Sequence, residues 1–482
     1  MWATLLSWIF CVWYIILWSI FLLGLHVARK RYARLPSSDP VVQPLPRHLS
    51  PGVSILRPLR GLDTNLYENL QASFLQDYPK FEIIFSVADE GDAAISIVQE
   101  LTTRYPHVDA RLIIGQEIVG VNPKINNLIR PYREAKYDLL WVLDSNVLTL
   151  STTLSRSVPL FTPSSPSSRP IGLVHHLPFA IYPDTLLGSR VEQVYMCSTH
   201  SKMYLAINQV QIASCVTGKS CLYKKSDLVK AATRKLERKK SSLKVLSSSS
   251  EQEPGLATFG QYLGEDNEIG VAIWEELGMR HAMGNEMAGN TVGTMSFAKY
   301  FRRRVRWIRV RKYMVTASTL VEPLTECIVA GILGSLALKH LFWIPAYLFF
   351  PLQTALWFYH DLQMYRSLLP SSPAPSSILN PPHHDGPSFS YLKAWALRES
   401  LALPIWLFAM LGDTVGWRDE GKVYKVRRDG SVRELEEGEK EAAIERVWAK
   451  VVKRWRGVRG KGYVELSFDD VESRAAPHTE AN

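Results

Sequence analysis

An α/β fold, with a mostly parallel sheet and apolar helices near both ends of the chain, is what this sequence predicts. Three observations lead there. Short apolar, strand-like runs alternate with helical ones from Val53 to Leu143, the pattern of a parallel sheet covered by helices. Acidic residues stand just past two of those strands, at Asp89 and Asp144. Apolar runs of membrane-spanning length flank this region on both sides.

Residues 1–28 form the N-terminal anchor. Trp2 to Leu25 carries no charge and suits a helix crossing a hydrocarbon core of about 30 Å. A cleavable signal peptide needs a charged n-region and a small-residue cleavage site, and neither is evident. Arg29, Lys30, Arg31 and Arg34 follow, so the positive-inside rule puts the next segment in the cytosol. Residues 29–52 read as a juxtamembrane linker, rich in Pro and Ser from Leu35 to Ser50.

Residues 53–296 read as the cytosolic catalytic domain. Strands are expected at 53–56, 81–87, 110–114 and 137–143, with helices at 66–74, 93–104 and 126–135. Thr162 to Arg169 is a Pro/Ser loop. Residues 224–253 are strongly biased, basic and then Ser-rich, and read as a disordered insert; a lipid-contacting or phosphorylated loop is the alternative. Residues 297–315 predict an amphipathic helix lying on the membrane, with Phe297, Phe301, Val305 and Ile308 at helical spacing among arginines.

Residues 316–412 hold three apolar segments. Pro323–Leu338 and Leu341–Tyr359 are parted by Lys339-His340, read as a hairpin. Ala394–Leu411 is interrupted by Arg398 and Glu399 and is the weakest span. Were all four segments to cross, the basic tail at 413–482 would end opposite the cytosolic domain, against the positive-inside rule; the third C-terminal segment is therefore expected not to cross fully. In the tail, 436–456 predicts an amphipathic surface helix. The net charge of +10 admits nucleic-acid binding, but the basic residues gather beside apolar segments and so fit membrane flanks instead. The 5 cysteines show no CxxC pair, which argues against a disulfide framework or a zinc site.

Four motifs carry chemistry. Val87-Ala-Asp89-Glu-Gly-Asp92 places a carboxylate past a strand, where open parallel sheets bind ligands; a solvated turn explains it equally well. Trp141-Val-Leu-Asp144-Ser-Asn146 delivers one carboxylate and a second oxygen ligand, a set that suits Mg²⁺ or Mn²⁺ bridging a diphosphate; a helix cap is the alternative. Gly264-Glu265-Asp266-Asn-Glu268 precedes a helical run, so Asp266 serves either as a base for an acceptor hydroxyl or as a helix cap. Arg303-Arg-Val-Arg306-Trp307 offers guanidinium groups for phosphate and an indole wall, or is simply a juxtamembrane basic helix. Lys124 faces a diphosphate, or is an ordinary buried-face or surface lysine.

The order of these motifs, ending in RxxRW before a transmembrane hairpin, resembles membrane-bound processive-type glycosyltransferases with a GT-A fold. Within them it is most similar to the ceramide glucosyltransferase family. Pro51-Gly-Val-Ser-Ile-Leu-Arg-Pro-Leu-Arg-Gly61, Val121-Asn-Pro-Lys-Ile-Asn-Asn-Leu128, Gly172-Leu-Val-His-His-Leu-Pro178 and Leu397-Arg-Glu-Ser-Leu-Ala-Leu-Pro-Ile-Trp406 carry the resemblance. It implies inverting glucose transfer from UDP-glucose to the primary hydroxyl of ceramide, in the Golgi or endoplasmic reticulum membrane with the active site facing the cytosol. By motif it implies a nucleotide-holding role for Asp89, a Mg²⁺- or Mn²⁺-binding role for Asp144 and a base role for Asp266. Arg303, Arg306 and Trp307 fall near donor and acceptor, and His200, in Cys197-Ser-Thr-His200-Ser, is tied to the active site unless it is structural. Single displacement fits these roles, because it needs one base and charge stabilisation on the leaving group but no protein nucleophile. A processive polysaccharide synthase shares the motifs but needs a channel, for which three apolar segments leave little room. An inactive membrane scaffold binding anionic lipid would have no use for three acidic motifs and RxxRW.

Overall fold

The computed structural model describes residues 1–33, 45–162, 169–243, 254–373, 389–416, 422–436 and 439. Residues 1–434 make one compact unit.

The centre of this unit is a sheet of 8 strands. In chain order they are β1 (Val53–Pro58), β2 (Phe81–Val87), β3 (Ala110–Ile114), β4 (Leu139–Leu143), β5 (Val147–Leu148), β6 (Ile171–Pro183), β7 (Ser220–Lys224) and β8 (Arg280–Gly293). They lie side by side as β3-β2-β1-β4-β7-β6-β8-β5. Strands β1 to β4 run parallel, as do β6 and β8, whereas β7 runs against both β4 and β6. This is the GT-A-like α/β architecture that the sequence predicts. The central strand β4 reads as an unbroken apolar run and is buried along its whole length, as expected where helices cover both faces. The expected helices are present at Leu66–Phe74, Ala94–Arg104 and Pro123–Glu134.

Parallel strands align their carboxyl ends. The segments after β1, β2 and β4, bearing Gly61, Asp89 and Asp144, therefore meet at one edge of the sheet. The antiparallel β7 brings its amino end to that edge. Leu143 pairs with Ser220, and the Asp144 N–H donates to the Lys219 carbonyl at 3.2 Å.

Several expectations are corrected. The 224–253 insert is not wholly disordered: Lys225–Leu243 is a helix, and Arg238 pairs with Glu276 at 2.8 Å across to the Glu265–Leu277 helix. Residues 244–253 lie outside the described residues, as do 163–168 of the Pro/Ser loop, 34–44 of the linker and nearly all of the tail helix expected at 436–456. Lys339-His340 is no hairpin but the last turn of a helix, Cys327–Phe342; the chain reverses at Trp343, which takes a left-handed φ of 57°. A composition signal locates a polar pair, but the turn is set by the following Trp-Ile-Pro sequence.

The membrane segments also rank differently. Among the described residues two helices are long and apolar enough to cross a membrane, Trp2–Tyr32 and Ser390–Leu411, and the bent pair Thr316–Thr325 and Cys327–Phe342 is a third if taken as one span. The segment expected to be weakest is thus a continuous helix. Its interrupting charges are neutralised internally: Arg398 pairs with Glu399 at 2.6 Å and with Glu326 at 2.7 Å. The Ala346–Leu368 helix is not among the candidates; it carries Gln353, His360 and Asp361 inward. The first half of Trp2–Tyr32 exposes Leu5, Trp8, Ile9, Val12 and Ile15, while its second half buries Leu17, Phe21 and Tyr32 against the rest of the fold. The basic helix forms over Phe297–Met314, one residue short of the expected 297–315, and buries Tyr300, Arg304, Val305, Ile308 and Arg309.

Candidate active site

At the carboxyl edge of the sheet a single ammonium gathers three carboxylates. Lys124 Nζ lies 2.9 Å from Asp144, 2.8 Å from Glu265 and 3.0 Å from Asp266. An ammonium has three protons to donate, and each finds an acceptor here. Asn122 builds this arrangement. Its side-chain oxygen caps the Pro123–Glu134 helix by accepting the Lys124 N–H at 2.9 Å, and its amide donates to Glu265 at 2.8 Å. The three acids differ in origin. Asp144 ends β4, while Glu265 and Asp266 open the Glu265–Leu277 helix, where the helix dipole favours anions. Asp266 makes no side-chain cap to that helix; its carboxylate is turned to Lys124 instead, which sets aside the capping alternative.

Asp144 is doubly held, since Lys219 Nζ sits 2.8 Å from its other oxygen and 3.0 Å from Asn146 Oδ1. Burial works against the Asp144 anion, but Lys124 and Lys219 outweigh it and hold the carboxyl well below its ordinary value. Asp266 goes the other way: burial and the neighbouring Glu265 push its proton affinity well above the usual carboxylate range, with Lys124 only partly opposing. Two acids within reach of one lysine are thereby driven apart, Asp144 held as an anion and Asp266 raised in proton affinity. Gly218 is required beside them, because a Cβ there would stand 1.6 Å from an Asp266 oxygen. Beneath the edge, fully buried Arg57 donates to the carbonyls of Asn69, Ser145 and Val147 and so sets the path of the chain after Asp144.

Asp89 lies at the same edge but is exposed, and its carboxylate accepts the Gly91 N–H at 3.1 Å. Among the described residues it forms no ion pair with the lysine cluster. Asp92 is the acid of this motif that joins segments, accepting the Gly61 N–H at 2.9 Å and the Ala94 N–H at 2.8 Å.

The RxxRW helix and His200 form a second group. Glu192, buried and unpredicted, accepts from Arg303 at 2.9 Å and from Arg304 at 3.4 Å. Burial favours the acid form of Glu192, but Arg304 and Arg303 together hold it below its ordinary value. Arg304 stacks on Tyr195 and on Trp307, each at 4.0 Å from the ring centre, so the middle arginine of the motif is the one sealed in. Arg306 is half-buried on the same helix. His200 ends a π-helical turn, Met196–His200, and stacks on Tyr204 at 5.4 Å with Trp307 at its edge, 6.4 Å away. Burial and the Arg304 charge push it down to about 3, so it is a neutral ring at physiological pH. The two groups are within electrostatic reach: burial and then the Arg303 charge act together to lower Lys219, against the pull of Asp144. Next to Trp307 a cleft, partly open to solvent, is lined by Tyr195, Tyr300, Arg304, Glu326 and Arg398, together with Ile308 and Ile405.

A family model described as "Glycosyl transferase family 21" matches residues 11–232 and 248–432. The chain belongs to glycosyltransferase family 21. Among curated relatives of this family 21 protein, the ceramide glucosyltransferase of Komagataella phaffii is 35% identical over 89% of this chain and 92% of the relative. That of Candida albicans is 31% identical over 80% and 88%. Ceramide glucosyltransferase 3 of Caenorhabditis elegans is 31% identical over 77% and 72%. Of solved structures, the mannosyltransferase PcManGT of Pyrobaculum calidifontis with GDP-Man and Mn²⁺ aligns at a TM-score of 0.43 and 14% identity, over 76% of this chain and 98% of that one.

The residues of this family 21 protein can be tested for a divalent ion. Among the described residues no cluster of three or more His, Cys, Asp or Glu could hold one. Two hard oxygens do converge, however, from Asp144 and Asn146 onto the Lys219 ammonium. That donor set fits Mg²⁺ or Mn²⁺ sharing its remaining positions between phosphate and water.

Glu192, Lys219, Gly218 and Arg304 were not singled out by sequence reasoning. Glu192 is a lone acid within the Leu187–Tyr195 helix, where nothing local marks it as a partner of Arg303, and only the pairing of β7 with β4 brings Lys219 to Asp144.

Proposed function

We propose that this glycosyltransferase moves glucose from UDP-glucose to the primary hydroxyl of ceramide with inversion, at the cytosolic face of a Golgi or endoplasmic reticulum membrane. The acceptor oxygen forms a bond to the anomeric carbon as the bond from that carbon to the diphosphate breaks. UDP leaves, and the hydroxyl proton passes to Asp266. The observation that carries this reading is the opposed pair at Lys124: a fixed anion at Asp144 and a proton-seeking carboxyl at Asp266, 2.9 and 3.0 Å from one ammonium.

The other roles follow from position. Lys124 holds Asp144 and Asp266 in register and brings positive charge to the leaving diphosphate, as Arg303 and Arg306 do from the facing helix. Asp89, exposed at the end of β2, is free to accept hydrogen bonds from the nucleoside. Asp144 and Asn146 would hold a divalent ion, which when bound screens the charge on the diphosphate. Trp307 and His200 wall the acceptor side. The cleft beside Trp307 is lined in part by Ile405 from one of the two span-length helices, so a lipid has a route to the site without leaving the membrane. The named activities of the family 21 relatives support glucose and ceramide.

Microsomes carrying the full chain, given labelled UDP-glucose, are expected to form a chloroform-soluble product that depends on added ceramide. A labelled polymer, or no transfer, refutes the assignment.

A further inference from the structure

Lys219 is given no part in the transfer above, yet it lies at its centre. Its backbone is fixed by pairing, with its carbonyl accepting the Asp144 N–H at 3.2 Å. Gly218 before it is pressed against the Asp266 carboxylate. Only the Lys219 side chain is free to leave. Its ammonium occupies the point where Asp144 Oδ2 and Asn146 Oδ1 converge, at 2.8 and 3.0 Å. A carboxylate and an amide oxygen aimed at one cationic atom are the ligand types that a hard divalent ion selects. Two monovalent cations therefore already hold both oxygens of Asp144, Lys124 at one and Lys219 at the other.

We propose that Lys219 is a tethered place-holder: in the donor-free enzyme its ammonium fills the divalent-cation position between Asp144 and Asn146, so that the ion enters only together with a nucleotide diphosphate. The diphosphate makes the exchange favourable because it supplies phosphate oxygens to the incoming ion and a new anionic partner to the displaced ammonium. Without it, an ion must expel Lys219 into a site already crowded by Lys124 and Arg303, both of which act against the Lys219 charge. Metal and nucleotide then bind with positive coupling, and by linkage each strengthens the other to the same extent. This inference rests on the nucleotide-sugar reading of the sheet edge.

The test is Mn²⁺ uptake by the purified full chain in detergent, followed by loss of the free Mn²⁺ electron-paramagnetic-resonance signal, with and without UDP. The wild type is expected to bind Mn²⁺ far more tightly with UDP than without, by roughly 5–150-fold, the usual span of such couplings. Lys219→Met is expected to bind Mn²⁺ without UDP more tightly than the wild type does and to lose most of the coupling, whereas Lys219→Arg keeps it. Donor-free wild type that binds Mn²⁺ as tightly as the UDP complex overturns the proposal without recourse to any variant. So does a folded Lys219→Met with wild-type coupling. Uptake of UDP with no Mn²⁺ in either protein removes the metal role of Asp144 and this inference with it, leaving nucleotide binding intact. Failure to bind UDP at all refutes the nucleotide reading itself.

Discussion

Two regions of this glycosyltransferase bury charge, and they do so differently. At the sheet edge, Lys124 is shared by three carboxylates and Asp144 by two lysines, and these side chains keep 5 to 22% of their surface exposed. In the helical region, Lys202 meets Asp361 at 2.8 Å with both side chains at 0% exposure. Phe21 and Trp357 rings cover the ammonium at 3.9 and 4.7 Å, and the Trp395 indole donates to the second Asp361 oxygen. The first arrangement has more acids than one cation can satisfy, at a position solvent still reaches. The second is matched one to one and sealed. Surplus charge at an opening is there to receive something, whereas matched charge in a sealed place holds helices together. Arg398 with Glu326 and Glu399 stands between these cases: buried like the second, but one cation to two carboxylates and lining the cleft beside Trp307.

The largest expected effect is on the open cluster. Asp266→Asn should lower turnover by about 10²–10⁴-fold, the worth of a positioned general base, while UDP affinity stays within a few-fold. Calorimetric UDP titration beside the rate measurement checks it; lost binding with residual turnover would move Asp266 from the base role to donor binding. The sealed pair should answer in stability rather than in rate per folded molecule. Lys202→Met strands Asp361 in an apolar setting and should cost about 3–5 kcal/mol, whereas Lys202→Met with Asp361→Leu should recover most of it. Thermal unfolding in detergent reads both; a single variant as stable as wild type would mean the pair is not sealed.

The smallest effect concerns His200, which among the described residues has no ion partner of its own. Its proton affinity is lowered to about 3 in the fold, against about 6.5 when unfolded. The unfolded chain therefore binds more protons between these values, and stability present above about pH 6.5 is lost as pH falls through that window. His200→Phe should make the acid limb shallower by on the order of 1 kcal/mol per pH unit. His176 and His281, each lowered to about 4 mainly by burial, keep part of the limb. An unchanged limb in His200→Phe would show that the ring is solvated.

Much of this was legible beforehand, for local reasons. The helix at 66–74 and the strands at 81–87 and 110–114 form with the bounds their apolar patterns indicate. Asp144 and Asp266 could be singled out because a strand end and a helix start are visible in the residues around them. Strand β8 could not: Arg280–Gly293 contains Gly284, Gly289 and Gly293 and no regular alternation, and it is a strand only because β6 pairs along most of its length. The same holds for Ser390–Leu411. Arg398 and Glu399 look like breaks in a span until Glu326, far away in the chain, supplies the partner.

The sequence by itself determined the elements, the apolar segments and the order of the acidic motifs, because periodicity and strand-end carboxylates are properties of neighbouring residues. Only the tertiary structure decided which acid is a fixed anion and which seeks a proton. That depends on a lysine from one helix, an acid pair from another and a second lysine delivered by an antiparallel strand, and electrostatics at 3 Å between residues 75 and 142 positions apart has no signature along the chain.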